Sequence, residues 1–172
     1  MHALTNTRLL VRVAAPIAAV ALITTACTST HKAAAPARSS AAGSGSSASS
    51  VIVNTQKSPL GSYLAGTSGR ALYLFASDTS STSSCTGECA VDWPPLTTHD
   101  SVIASDGATS SDLATITRPD GTKQVTYAGH PLYYYAGDSG AGDTNGQGVD
   151  SFGALWWLVA PSGQKITTSS AK

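Results

Sequence analysis

Past residue 50 the apolar residues of this chain alternate with polar ones or gather in short blocks, and turn dipeptides separate the blocks. In ATITRPDGTKQVTYAGHPLYYYA, Asp120-Gly121 and Gly129-His130 stand between β-branched and aromatic runs. That pattern predicts three antiparallel strands, at about 113–118, 122–127 and 131–136. SYLAGTSGRALYLFA predicts a hairpin turning near Thr67–Gly69, and LWWLVAP predicts a strand near 155–160 stopped by Pro161-Ser162-Gly163. No helical period of useful length follows Ile23. The predicted fold class is all-β.

The blocks also repeat. GRALYLFASD (Gly69–Asp78) aligns with GHPLYYYAGD (Gly129–Asp138) at an offset of 60, with Gly, Leu, Tyr, Ala and Asp identical at matched places. A polar loop and then tryptophan follow each copy: Trp93 after the first, Trp156 and Trp157 after the second. Two copies of one β unit predict an antiparallel meander with a pseudo-twofold relation between halves. Period two puts Tyr133 and Tyr135 on one face and Leu132 and Tyr134 on the other, matching Tyr73 and Phe75 against Leu72 and Leu74. Phe75 stands where the second copy has Tyr135, which favours packing over a ligand platform at that place. A buried tyrosine needs a partner for its hydroxyl, and the repeated Asp78 and Asp138 are the nearby polar groups. Both aspartates end their strands, where the side chain caps backbone N–H groups of a turn.

The segment before residue 51 has a different character. Arg8 and Arg12 precede VAAPIAAVALITTAC (Val13–Cys27), a positive start, an apolar run and a small residue at its end. The run is shorter than the ~20 residues of a transmembrane helix. Ala26-Cys27 resembles a bacterial lipoprotein signal, in which the cysteine becomes the lipid-bearing N-terminus; Thr24 replaces the leucine common there. Residues 1–26 therefore read as a signal peptide. Residues 27–50 read as a lipid-anchored, disordered Ala/Ser/Gly linker. Residues 51–168 read as the domain, with repeats at about 60–97 and 113–163, and 169–172 as a tail. Lys+Arg and Asp+Glu both number 10, and 12% of residues are charged. A chain so balanced lacks the basic footprint that nucleic acid requires, so no nucleic-acid partner is expected.

Paired Tyr-x-[Phe/Tyr]-x-x-Asp motifs, with cysteines and WPPL after the first and GDTNGQG after the second, resemble a family of bacterial secreted-repeat lipoproteins defined by that motif. The likeness spans about residues 60 to 163. It implies an exported, lipid-anchored repeat protein and no established biochemical activity.

Chemistry-bearing residues are few. With Cys27 lipidated, Cys85 and Cys89 of CTGEC form an even pair in an oxidising location, which predicts a local disulfide. Cys-x-x-Cys-His is absent, so c-type haem is not expected. A redox or metal site built from Cys85, Cys89 and His99 or His130 is an alternative. GDTNGQGVD offers Asp143, Asn145 and Asp150, with Asp138 before it, as weak calcium candidates; the twelfth loop place is Ala154 and no helices flank it, unlike an EF-hand. No nucleophile elbow, zinc-protease helix or phosphate loop occurs, so no enzyme and no cofactor are expected. The leading expectation is a non-enzymatic envelope protein, held to the membrane through Cys27 and binding an unknown envelope ligand or protein. Its candidate binding surface is Trp93, Tyr134, Trp156 and Trp157. A ligand-free envelope spacer is the further alternative, and secretion without an anchor follows if Cys27 is unmodified.

Overall fold

The computed structural model describes residues 50–168. The segments expected to be a signal peptide and a linker, with Cys27, and the tail 169–172 lie outside the described residues. Nine strands follow in order: β1 (Val51–Ser58), β2 (Gly61–Ala65), β3 (Tyr73–Phe75), β4 (Val102–Ala104), β5 (Leu113–Thr117), β6 (Lys123–Tyr127), β7 (His130–Pro131), β8 (Asp150–Ser151) and β9 (Ala154–Leu158). One short helix, α1 (Glu88–Asp92), lies between β3 and β4. The protein is all-β, with three three-stranded sheets ordered β2-β1-β4, β3-β9-β8 and β5-β6-β7.

Each repeat opens with a hairpin, β1–β2 in the first and β5–β6 in the second. Asp120-Gly121 turns the second as its dipeptide requires, with Gly121 at φ 82°. The connections depart from a pure meander in two places. β4 joins β1 in parallel, and β3 pairs with β9 from the far end of the chain. The strand expected at 131–136 is reduced to the two residues of β7. Past it the chain leaves the β6 edge and bonds to the first repeat instead: Tyr134 N–H to Pro94 O (2.8 Å) and Ala136 N–H to Asp92 O (2.8 Å).

Those bonds belong to a reciprocal exchange. β3 of the first repeat pairs with β9 of the second, placing Tyr73 opposite Leu158, while Tyr133 of the second lies opposite Pro95 of the first. Leu72 N–H bonds Leu64 O and Val159 N–H bonds Leu72 O; likewise Leu132 N–H bonds Val125 O and Leu96 N–H bonds Leu132 O. Pro94 and Pro95 lack N–H groups, so the first repeat's exchanged segment pairs without becoming a regular strand. At the centre Tyr73 and Tyr133 trade both backbone bonds, N–H to O at 2.9 and 3.0 Å. The pseudo-twofold relation passes between these two residues.

The motif segments are buried on both faces. Tyr73, Phe75 and Tyr133 join Trp93, Trp156, Tyr63, Leu158 and the two cysteines in one cluster, with Tyr135 packed against it. Leu72, Leu74 and Leu132 join Val53, Leu64, Leu96, Val125, Tyr127 and Val159 in the other, with Tyr134 and Trp157 at its margin. The alternation of the motif thus divides its side chains between two cores, with Tyr73, Phe75, Tyr133 and Tyr135 on one and Leu72, Leu74, Leu132 and Tyr134 on the other.

Candidate functional site

Each motif tyrosine bonds the aspartate of the other repeat. Tyr73 Oη donates to Asp138 Oδ2 at 2.7 Å, and Tyr133 Oη donates to Asp78 Oδ2 at 2.5 Å. The remaining carboxylate oxygens cap turns: Asp78 Oδ1 accepts Ser84 N–H (2.8 Å) and Ser84 Oγ (2.7 Å), and Asp138 Oδ1 accepts Asn145 N–H (2.9 Å). Burial first, then the bond to a carboxylate, pushes both phenols well above their ordinary range. Tyr63 is pushed up as well, by burial and then by the nearby charges of Asp138 and Asp143.

The two copies complete these pairs differently. In the second, the GDTNGQG loop closes over Tyr73: Gly146 N–H reaches Tyr73 Oη (3.3 Å), and Gln147 accepts Leu158 N–H and donates to Ile166 O. In the first, a buried cation takes the loop's place. Arg118, 4% exposed, donates to Ser83 Oγ, Gln124 Oε1 (2.7 Å) and Cys85 O (2.7 Å). Ser83 Oγ lies 2.6 Å from Tyr133 Oη. A guanidinium only donates and a carboxylate only accepts, so the direction of the chain is fixed: Arg118 to Ser83, Ser83 to Tyr133, Tyr133 to Asp78. Two hydroxyls thereby link a buried positive charge to a half-buried negative one. Exposed Asp120 stands 3.6 Å from Arg118 Nε, and its carboxyl lies below the ordinary range, chiefly through bonds from Thr122.

Between the pairs runs a stack of four rings. Phe75 lies on Trp156 (centroids 4.2 Å), Trp156 on Trp93 (3.9 Å, planes 3° apart) and Trp93 on Tyr135 (4.2 Å). Tyr73 meets Trp93 edge-on and Tyr133 meets Trp156 edge-on, again as symmetry mates. The expected binding surface is corrected here. Trp93 is 1% exposed and Trp156 0%, because the exchange turns both indoles inward against each other. Tyr134 and Trp157 are half-buried. The exposed large apolar residues are instead Val91, Ile103, Phe152 and Leu155.

Cys85 and Cys89 form the expected disulfide, Cα atoms 5.3 Å apart, buried in the aromatic core. His99 is exposed and His130 half-buried. Among the described residues, no group of three or more His, Cys, Asp or Glu side chains is placed to hold a metal. The calcium candidates do not converge on a free position. Asp143 Oδ2 accepts Ser139 and Gly140 N–H, Asp138 is taken up as above, Asn145 Nδ2 donates to Gly137 O, and Asp150 is exposed. Arg118, Gln124 and Tyr63 were not singled out in the sequence. A lone arginine two residues before the Asp120-Gly121 turn reads as a surface charge, and only the fold buries it.

One cavity opens beside these groups, about 200 Å³, lined by Leu74, Phe75, Ala76, Asp78, His130, Gln164 and Lys165. Four of those residues belong to the first motif copy. The matching place in the second copy is occupied by the protein itself. Arg70, the counterpart of His130, lies over the Tyr134 ring at 4.9 Å and donates from Nη2 to Tyr135 O at 2.6 Å. A more open depression of about 300 Å³ between β4 and β5 carries Asp100 as its one charged residue.

A duplicated β unit with exchanged strands and exchanged Tyr–Asp pairs defines a two-repeat all-β protein. The family model described as a secreted repeat of unknown function matches residues 54–97 and 114–160, just over half of the chain, and the protein belongs to that family. Each matched segment contains one hairpin and one motif copy. No curated protein and no solved structure gives a significant match.

Proposed function

We propose that this secreted-repeat protein is a lipid-anchored binding module of the cell envelope, without enzymatic activity of its own. The single observation that carries the reading is the difference between its two copies of one turn. The second is filled by Arg70 and Tyr134, whereas the first leaves a cavity bounded by Asp78, His130 and Lys165. Small pockets with an apolar floor and a few polar groups are the usual places for ligands. Phe75, stacked on Trp156, ties one wall of the cavity to the aromatic core. The anchor rests on the Arg8/Arg12 start, the apolar run and Ala26-Cys27; a single lipid chain binds membranes only marginally, so a stable anchor requires more than one chain on Cys27.

Two measurements test the reading. Mass spectrometry of the mature protein from its native envelope should find Cys27 as the N-terminal residue, carrying acyl chains. An unmodified N-terminus elsewhere would remove the anchor. Low-molecular-weight envelope fractions should shift the His130 ring resonances of the folded protein. If no fraction moves them, the spacer reading takes its place.

A further inference from the structure

The second copy shows what the first copy's cavity is shaped to hold. The pseudo-twofold relation exchanges Leu74 with Tyr134, Phe75 with Tyr135, Asp78 with Asp138 and His130 with Arg70. The two turns have the same backbone: Asp78 N–H bonds Phe75 O at 3.1 Å, and Asp138 N–H bonds Tyr135 O at 3.2 Å. In the second copy the Tyr135 carbonyl takes a second donor, the guanidinium of Arg70. In the first copy the imidazole of His130 is shorter than arginine, and Leu74 is smaller than tyrosine. Phe75, whose carbonyl corresponds to that of Tyr135, lines an open cavity.

We infer that this cavity binds the guanidinium group of an arginine-like ligand, donating to the Phe75 carbonyl as Arg70 donates to Tyr135 O in the other repeat, with the Asp78 carboxylate in the same wall. This inference rests on the binding-module reading and names its ligand chemistry. Charge supports it. Asp78 accepts hydrogen bonds but has no cation within ion-pair distance among the described residues, where Arg118–Asp120 is the one ion pair. Lys165 at the rim, exposed, supplies a positive group for the carboxylate end of a zwitterion. The volume is below the ~300–1,000 Å³ of pockets for drug-sized ligands, which limits the occupant to about amino-acid size. Guanidinium is planar and weakly hydrated, so it leaves water for a carbonyl and a carboxylate more readily than an ammonium does.

The test titrates the full-length mature protein in micelles with L-arginine, blocked acetyl-arginine-amide and uncharged L-citrulline, following the amides of residues 75–78 and the His130 ring. L-arginine should give saturable shifts, and citrulline should bind about tenfold more weakly or worse, the loss of one charge-assisted hydrogen bond. Equal binding of the blocked compound indicates an arginine side chain of a peptide; its failure indicates the free amino acid, and Lys165→Gln should then weaken L-arginine alone. His130→Arg should place a guanidinium in the cavity from within and abolish binding, while His130→Ala should retain it. No saturable shift with arginine, equal affinity for citrulline, or undiminished binding by His130→Arg would overturn the inference. If envelope fractions shift His130 but arginine does not, the guanidinium chemistry fails and the binding module stands. If neither does, both fail.

Discussion

Tyr73 and Tyr133 each give a hydroxyl proton to a carboxylate of the other repeat. The two bonds are chemically alike but differ in surroundings. Asp138 is 4% exposed, so water cannot replace a lost phenol there, while half-buried Asp78 can be rehydrated. Tyr73→Phe should therefore destabilise by about 1.5–3 kcal/mol, the range for a hydrogen bond to a charged group, and Tyr133→Phe by less. Urea unfolding of both variants gives the comparison; a larger loss for Tyr133→Phe would mean that the Arg118–Ser83 chain, not burial, sets the energy. Both phenols also have raised pKa values. Their neutral forms favour the fold, so their contribution is complete below pH 10, the unfolded value, and falls as pH rises past it. Each tyrosine should remove about 1.4 kcal/mol per pH unit above that point. Tyrosinate absorbance should appear together with loss of tertiary circular dichroism, and its appearance in the still-folded protein would contradict the burial argument.

At the scale of elements, one loop and one ring stack fit each other closely. A Cβ placed on Gly146 would come within 2.8 Å of the Tyr73 ring and 2.9 Å of Trp93. Both rings are fixed, Tyr73 by Asp138 and Trp93 by stacking between Trp156 and Tyr135, so neither can yield. Gly146→Ala should therefore cost about 1–3 kcal/mol by overpacking. Gly140→Ala, in the same segment but with nothing within 4 Å of the added atom, should cost little. Thermal melts of the pair separate steric contact from loop composition. The glycine of GDTNGQG was visible in the sequence, but the pattern read as a turn or a weak calcium loop. The reason for the glycine is a tyrosine 73 residues away, which no local pattern contains.

For the whole molecule, the exchange of strands makes each repeat depend on the other. β3 has its sheet partner in the second repeat, and the Tyr133 segment has its partner in the first. Fragments 50–97 and 113–168 should each be unfolded alone by far-ultraviolet circular dichroism. An independently folded half would show that the hairpins, not the exchange, hold the domain. β1 enters the same account, since Val53 is 0% exposed and β1 lies between β2 and β4. Neither β1 nor β4 was predicted as a strand, because VIVNTQKS and VIA carry no turn dipeptide and little alternation to mark them.

The sequence by itself determined the all-β class, the duplication, the hairpin turn at Asp120-Gly121, which motif side chains share a face and the local disulfide. These follow from patterns a few residues long, or from comparing the chain with itself, and turn chemistry and period two act at that range. Only the tertiary structure decided which repeat each strand joins, that Trp93 and Trp156 face inward, that Arg118 is buried, and that one copy of a shared turn is filled while the other is open. Those outcomes depend on contacts between residues far apart in the chain, such as Arg118 with Ser83 and Tyr73 with Leu158. The same local signals fit pairing within a repeat or across repeats, and burial of both faces of the motif at once selects the crossing arrangement.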